Sequence, residues 1–257
     1  NSLIEVSLAT RVDTGDVRDW LGLEAISLAQ GDAAVSGSVR VVSGDAPVLS
    51  LESDLVGVSL DLPEPWAKAA DLPGQLSVEL PLGREQSVLS LELGRQLQMQ
   101  LDITAAAMQG ASLGINADPP ALENGKINVT GHASLVDVQG WLDFTEQYLL
   151  ADAAELEVAP DPNDAVAPES RGGLASLALQ IHELRADRVR IWGLEAADLV
   201  FSMDYAVDGW QVQAHTDWMR GSFLQPDGER ATLALDFLDL EGLGQLVSTE
   251  TETETET

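Results

Sequence analysis

The chain is 257 residues long, 45% hydrophobic and only 5% aromatic, with 43 acidic residues against 13 basic ones and a net charge of −30. That length and apolar content support a folded core, while the acidity excludes a nucleic-acid surface and opposes docking on anionic lipid headgroups. The absence of cysteine excludes disulfides, thiolate metal sites and cysteine nucleophiles; no apolar run reaches the roughly 18 residues of a membrane helix, and the scarce aromatics disfavour a transmembrane barrel.

Strand-like windows dominate, because apolar and polar residues alternate and every second side chain falls on one face. Leu3–Thr10 alternates weakly. Asp16–Leu21 (DVRDWL) breaks the pattern and predicts a short helical turn. Ser36–Val42 and Val48–Leu51 flank Ser43-Gly44-Asp45 and predict a hairpin. Leu55–Leu62 and Gln75–Leu82 are strand-like, with Pro63, Pro65 and Pro73 around them and a possible helical turn at Trp66–Ala70. Ser87–Leu93, Leu97–Ile103, Ala111–Ala117 and Lys126–Ala133 continue the series, broken at Gly94-Arg95, Gly110 and Asp118-Pro119-Pro120. Asp137–Leu142 (DVQGWL) repeats the earlier D-V-x-x-W-L string. There Val138, Trp141, Leu142, Thr145 and Leu149 take helical spacing behind Asp137, a candidate N-cap. The run Leu177–Leu240 alternates again and turns at Trp192-Gly193, Asp208-Gly209 and Pro226-Asp227-Gly228, which predicts an antiparallel meander.

The organisation expected is a first β unit over 1–135, a helix within 136–154, and a Pro-, Asp- and Gly-rich linker over 155–173. A second β meander follows over 174–247, then a low-complexity Thr-Glu linker over 248–257. The fold class expected is mainly β: a long, strongly twisted antiparallel sheet, a curved gutter of meandering strands with one or two short helices. Asn1 opens without a signal-like segment and the chain stops inside TETETETET. Both ends read as cuts in a longer protein.

No catalytic constellation emerges. His132, His182 and His215 sit in separate strand-like windows without metal spacing. Asp161, Asn163 and Asp164 offer oxygen ligands, but the glycine and final glutamate of a calcium loop are missing. With 43 carboxylates an acid pair for glycoside hydrolysis can be drawn anywhere, so it carries no signal. Nucleophile-elbow, phosphate-loop, zincin and dinucleotide motifs are all absent, so no enzyme and no cofactor is expected. Asn128-Val129-Thr130 fits the glycosylation sequon but falls in a strand. Arg185, Arg188 and Arg190 could meet an anion, or pair with Glu183 and Asp187.

The apolar rows remain. Leu76, Val78, Leu80 and Leu82 form one, Leu97, Met99, Leu101 and Ile103 a second, and Leu199, Phe201, Met203, Tyr205 and Val207 a third. Leu233 and Leu235 belong to the last strand-like run. An apolar sheet face must be covered by another layer or by a ligand, and two short helices are too few for a dozen strands. Either the sheet folds on itself, or these residues form a groove for acyl chains.

The segment I-W-G-L-E-A-A-D-L-V-F, then D-G-W-Q-V, W-M-R-G-S-F, a P-D-G turn and L-A-L-D-F-L-D-L, resembles the periplasmic repeat region of the AsmA-like proteins, of the YhdP type. Ile127–Leu142 is similar to the strand, glycine and D-x-x-x-W helix start that precede that meander. The resemblance covers about 111–243. It implies a bridge-like lipid-transfer protein of a Gram-negative bacterium, anchored in the inner membrane by an N-terminal helix outside this sequence. Such a protein crosses the periplasm and moves phospholipid toward the outer membrane, supporting its permeability barrier. The implied partners are phospholipid acyl chains and other segments of the same long chain; the family offers no catalytic residues. The reading kept beside it is a structural or adhesive β scaffold that binds protein or polysaccharide without lipid.

Overall fold

Strands account for most of the computed structural model, which describes residues 3–21, 28–104, 108–144, 177–191, 194–206, 209–226, 228 and 230–239. In chain order the elements are β1 (Leu3–Asp13), α1 (Thr14–Leu21), β2 (Ala29–Val42), β3 (Val48–Ser53), β4 (Val58–Leu60), β5 (Leu76–Pro81), β6 (Gln86–Leu93) and β7 (Leu97–Thr104). They continue as β8 (Met108–Ile115), β9 (Lys126–Asp137), α2 (Val138–Phe144), β10 (Ala178–Ile191), β11 (Leu194–Ala206), β12 (Gly209–His215), β13 (Met219–Pro226) and β14 (Thr232–Leu238). All the strands except β4 pair in one path, nearly in sequence order from β1 to β14, and the path does not close on itself.

The sheet is mixed, where the alternation predicts a purely antiparallel one. Strand β9 runs parallel to β8 on one side and to β10 on the other. A parallel pair needs a connection that carries the chain back to its starting end. Residues 116–125 do this between β8 and β9, passing over one face of the sheet. A Cβ on Gly110 would meet the Glu123 carbonyl oxygen at 2.3 Å, and one on Gly114 the Ala117 oxygen at 2.1 Å. Glycine is needed at both places because another backbone lies against the strand. Asn128, 1% exposed, donates through Nδ2 to the Ala121 carbonyl 3.2 Å away, so the sequon asparagine is buried beneath this connection.

Further differences are local. Of the strand expected over Leu55–Leu62 only β4 forms, and it pairs with the early part of β2, off the main path. The helical turn expected at Trp66–Ala70 is a turn over Pro63–Trp66, with the Trp66 N–H donating to the Pro63 carbonyl at 3.0 Å, and Lys68 bridging back to Leu60. Leu60 and Lys68 exchange N–H to carbonyl hydrogen bonds at 2.9 and 3.0 Å, and this bridge takes the backbone that a helix would need.

Both helices sit where the D-V-x-x-W-L strings fall, but in different frames. Asp137 caps α2, accepting the Gly140 N–H at 3.3 Å. In α1 the cap is Asp13, three residues before the string, accepting the Gly15 N–H at 2.8 Å. A side-chain oxygen three residues earlier captured the free donors first. The remainder of the helix expected to 154, and the linkers at 155–173 and 248–257, lie outside the described residues.

The halves on either side of 145–176 share one sheet through β9 and β10. The buried cluster at that junction comprises Trp66, Ile115, Val129, Ala133, Leu184, Ala186, Val189, Ala196 and Leu199. Gly131 lets β9 approach β8 there: its φ is +131°, and a Cβ would lie 2.0 Å from the Ile115 oxygen. Gly131→Ala is therefore expected to cost about 3 kcal/mol or more. Gly44→Ala, at φ +100° with open space around it, should cost only about 1 kcal/mol. Urea unfolding of the two variants measures the difference.

Candidate functional site

Residues directly opposite each other on neighbouring strands share a face of the sheet, so the registers trace rows across the molecule. One row starts at Leu8 and passes through Gly37, Leu51, Val78, Leu91 and Met99 to Leu113. From Leu113 it continues through Val129, Ile181, Met203, Val212 and Phe223 to Leu233. Every member is apolar or glycine. At ~4.8 Å per strand the row is roughly 55–60 Å long.

The next position along each strand gives the opposite face. That row reads Ser7, Ser38, Ser50, Glu79, Ser90, Gln100 and Ser112, then Asn128, Gln180, Asp204, Gln211, Leu224 and Thr232. Only Leu224 is apolar. Along these two central rows, Leu224 apart, the sheet separates its chemistry: one face carries hydrocarbon and the other hydrogen-bonding groups.

The predicted groove residues all lie on the apolar face. Val78, Met99 and Met203 stand in the central row. Leu76 pairs with Leu93, and Leu93 with Leu97, on one flank. Leu80 and Leu101 lie on the other flank, facing Leu49 and Leu89, with Ile103 opposite Met108 beyond a bulge. Leu199, Phe201 and Leu235 are also on this side, opposite Ala186, Leu184 and Gly221. Exposure varies along it: Leu80, Leu101 and Leu199 are buried, Leu76, Val78, Leu97, Met99, Ile103, Phe201 and Met203 half-buried, and Leu233 and Leu235 are 66% and 47% exposed. At the other end of the sheet Ile4 and Val6 are each 58% exposed. The apolar face is therefore most open at its two outermost strands.

One flank is covered. Residues 54–75 leave the sheet after β3, carry β4, and return at β5. Trp66 lies in the buried cluster with Ile115 and Val129, and its ring meets Trp141 of α2 edge-on at 5.8 Å. Lys68 holds this strap together, its Nζ donating to the carbonyls of Leu55 at 2.8 Å, Val58 at 2.6 Å and Ala69 at 3.1 Å. Desolvation lowers the Lys68 pKa from its ordinary value, against Asp71 and Asp54, which raise it. Nothing in the sequence pattern marked this lysine, because its partners are main-chain oxygens.

Among the described residues the polar candidates pair locally. His132 pairs with Asp187 at 2.8 Å, and the His215 Nδ1 accepts from the Arg220 Nε at 3.1 Å. Of the three clustered arginines, expected beside Glu183 and Asp187, Arg190 meets Glu195 at 3.4 Å and Glu64 at 3.8 Å, while Asp187 is taken by His132. Among the described residues no group of three His, Asp or Glu could hold a metal ion. Asp161, Asn163 and Asp164 lie outside those residues.

The sequence matches the model of the YhdP protein family across residues 1–257. The chain belongs to the YhdP family. No curated protein and no solved structure matches it. Membership in the YhdP family suggests a role related to lipid transport, and the family is one of the bacterial envelope and is not known for enzymatic activity. Among the described residues no helix is long and apolar enough to cross a membrane.

Replacing Lys68 by methionine removes the donor shared by three carbonyls. A charged hydrogen-bonding group in such a place contributes about 1.5–3 kcal/mol per bond at most, with strong overlap between bonds. The variant is expected to lose roughly 2 kcal/mol, read by urea unfolding, and to be cleaved faster within 54–75 in limited proteolysis.

Proposed function

We propose that this chain is a segment of a periplasm-spanning protein that carries phospholipid between the inner and outer membranes along its apolar face, and so supports the outer-membrane permeability barrier. The observation that carries this reading is the unbroken row from Leu8 to Leu233, with a polar row directly behind it. Acyl chains would lie on the apolar face and headgroups would project to water. Each methylene withdrawn from water is worth about 0.8 kcal/mol. A chain that moves one strand spacing along the row meets the same kind of neighbour again, so the free energy changes little as it slides. Anchoring in the inner membrane through a helix beyond this segment, with further segments of the same chain prolonging the face, belongs to the same reading.

The purified protein is expected to carry phospholipid that native mass spectrometry detects after gentle release. Met99→Asp, Phe201→Asp and Leu233→Asp, on the apolar face, should each lower the lipid load about tenfold with the β-sheet circular dichroism intact, a loss of about 1.4 kcal/mol. Ser90→Asp, on the polar face beside them, should leave it unchanged. A folded protein with no lipid, or equal loads in all four variants, overturns the proposal and leaves the scaffold reading.

A further inference from the structure

The strap over the apolar face does more than cover it. Between the strap and the sheet lies a recess of about 160 Å³, with Leu60, Pro65 and Trp66 above and Leu93 and Leu97 below. Its floor is continuous with the rows already traced, since Leu93 pairs with Leu76 and Leu97 with Ile115. The strap is pinned on both sides: Lys68 ties it to its own carbonyls, and Pro63 packs on α2, with its Cβ 3.3 Å from where a Cβ on Gly140 would stand.

We infer that this recess receives the methyl end of an acyl chain lying on the apolar face, and thereby sets a preference for chain length. The inference rests on the phospholipid reading above. Chemistry selects the chain end over the headgroup. The Lys68 ammonium, the cation at the recess, already donates to three carbonyls, and the Gly94 N–H at its edge donates to the Gln75 carbonyl at 2.6 Å. A phosphate placed there would find the ammonium already engaged and only the neutral amides of Gln75 and Gln96 beside the apolar walls of Leu60, Trp66, Leu93 and Leu97, a poor exchange for its hydration. Size selects how much of the chain enters. A dry apolar cavity of about 150 Å³ holds benzene, so five or six chain carbons fit. Trp66 forms the wall that the terminal methyl would touch.

The test uses the purified native chain loaded from vesicles of phosphatidylethanolamines with saturated chains of graded length. Leu93→Trp fills the recess. The expected result is a preferred chain shorter by about five carbons, read as the ratio of short to long chains bound and not as the total load. Lipid brominated at the chain end should quench tryptophan emission more than lipid brominated near the ester, and Trp66→Phe should abolish that difference. An unchanged length profile in a lipid-loaded Leu93→Trp protein, or quenching that ignores both bromine position and Trp66, overturns the recess while the transport reading stands. If Leu93→Trp fails to fold, the quenching comparison decides alone. A native chain that takes up no lipid at all overturns both readings together.

Discussion

Everything in this molecule depends on keeping odd and even positions on the same side across thirteen paired strands. A strand slipped by one residue moves its whole apolar set to the other face. Three places test that constraint, because there the sequence puts two residues between successive apolar positions instead of one. They are His182-Glu183 between Ile181 and Leu184, Gln109-Gly110 between Met108 and Ala111, and Asp236-Phe237 between Leu235 and Leu238. At each the register shifts by one residue, the mark of a β-bulge. Glu183 takes a φ of +43° to do so. The bulge absorbs the extra residue, and the apolar row resumes on its own side.

The polar face stays wet except where residues 116–125 cross it, and there Gly110, Gly114 and the amide of Asn128 accept the crossing backbone. The apolar face is covered where the strap and α2 meet it, and Ala133 and Ala186 in the cluster there are 1% and 2% exposed. Small side chains suit that junction because two tryptophans come down on it. A second buried cluster, of Leu80, Leu89, Leu101, Met108, Ala111 and Leu177, lies on the other flank, and among the described residues hydrocarbon is most exposed on the outermost strands.

Most of the strands were legible as alternation, because period-two patterning is a local property and thirteen strands repeat it. That Val78, Met99 and Met203 share one face was legible for the same reason: each needs only the right parity to reach it. Pairing direction was not legible. Nothing in Lys126–Asp137 records that its neighbours run parallel to it; that depends on where residues 116–125 travel, which is a tertiary matter. The strap was missed because Leu55–Leu62 alternates like its neighbours, while the prolines after it and the Lys68 cross-ties remove it from the sheet. The three bulges were written plainly in the doubled positions, and reading those as insertions would have found them.

The position of β9 has a consequence in time. Apart from β1 and β2, joined through α1, and β3 and β5, joined through the strap, the antiparallel neighbours of the main path are only a few residues apart in the chain, so two runs of hairpins can zip up from local contacts. The parallel pairs are different. The partner of β9 at β10 is separated from it by the whole of α2 and residues 145–176, and closing that loop costs chain entropy before any ladder repays it. Non-local pairing of this kind is what slows β proteins. Two half-sheets therefore form early, and the strand between them is the last seam to join, leaving each half with a bare edge until it does.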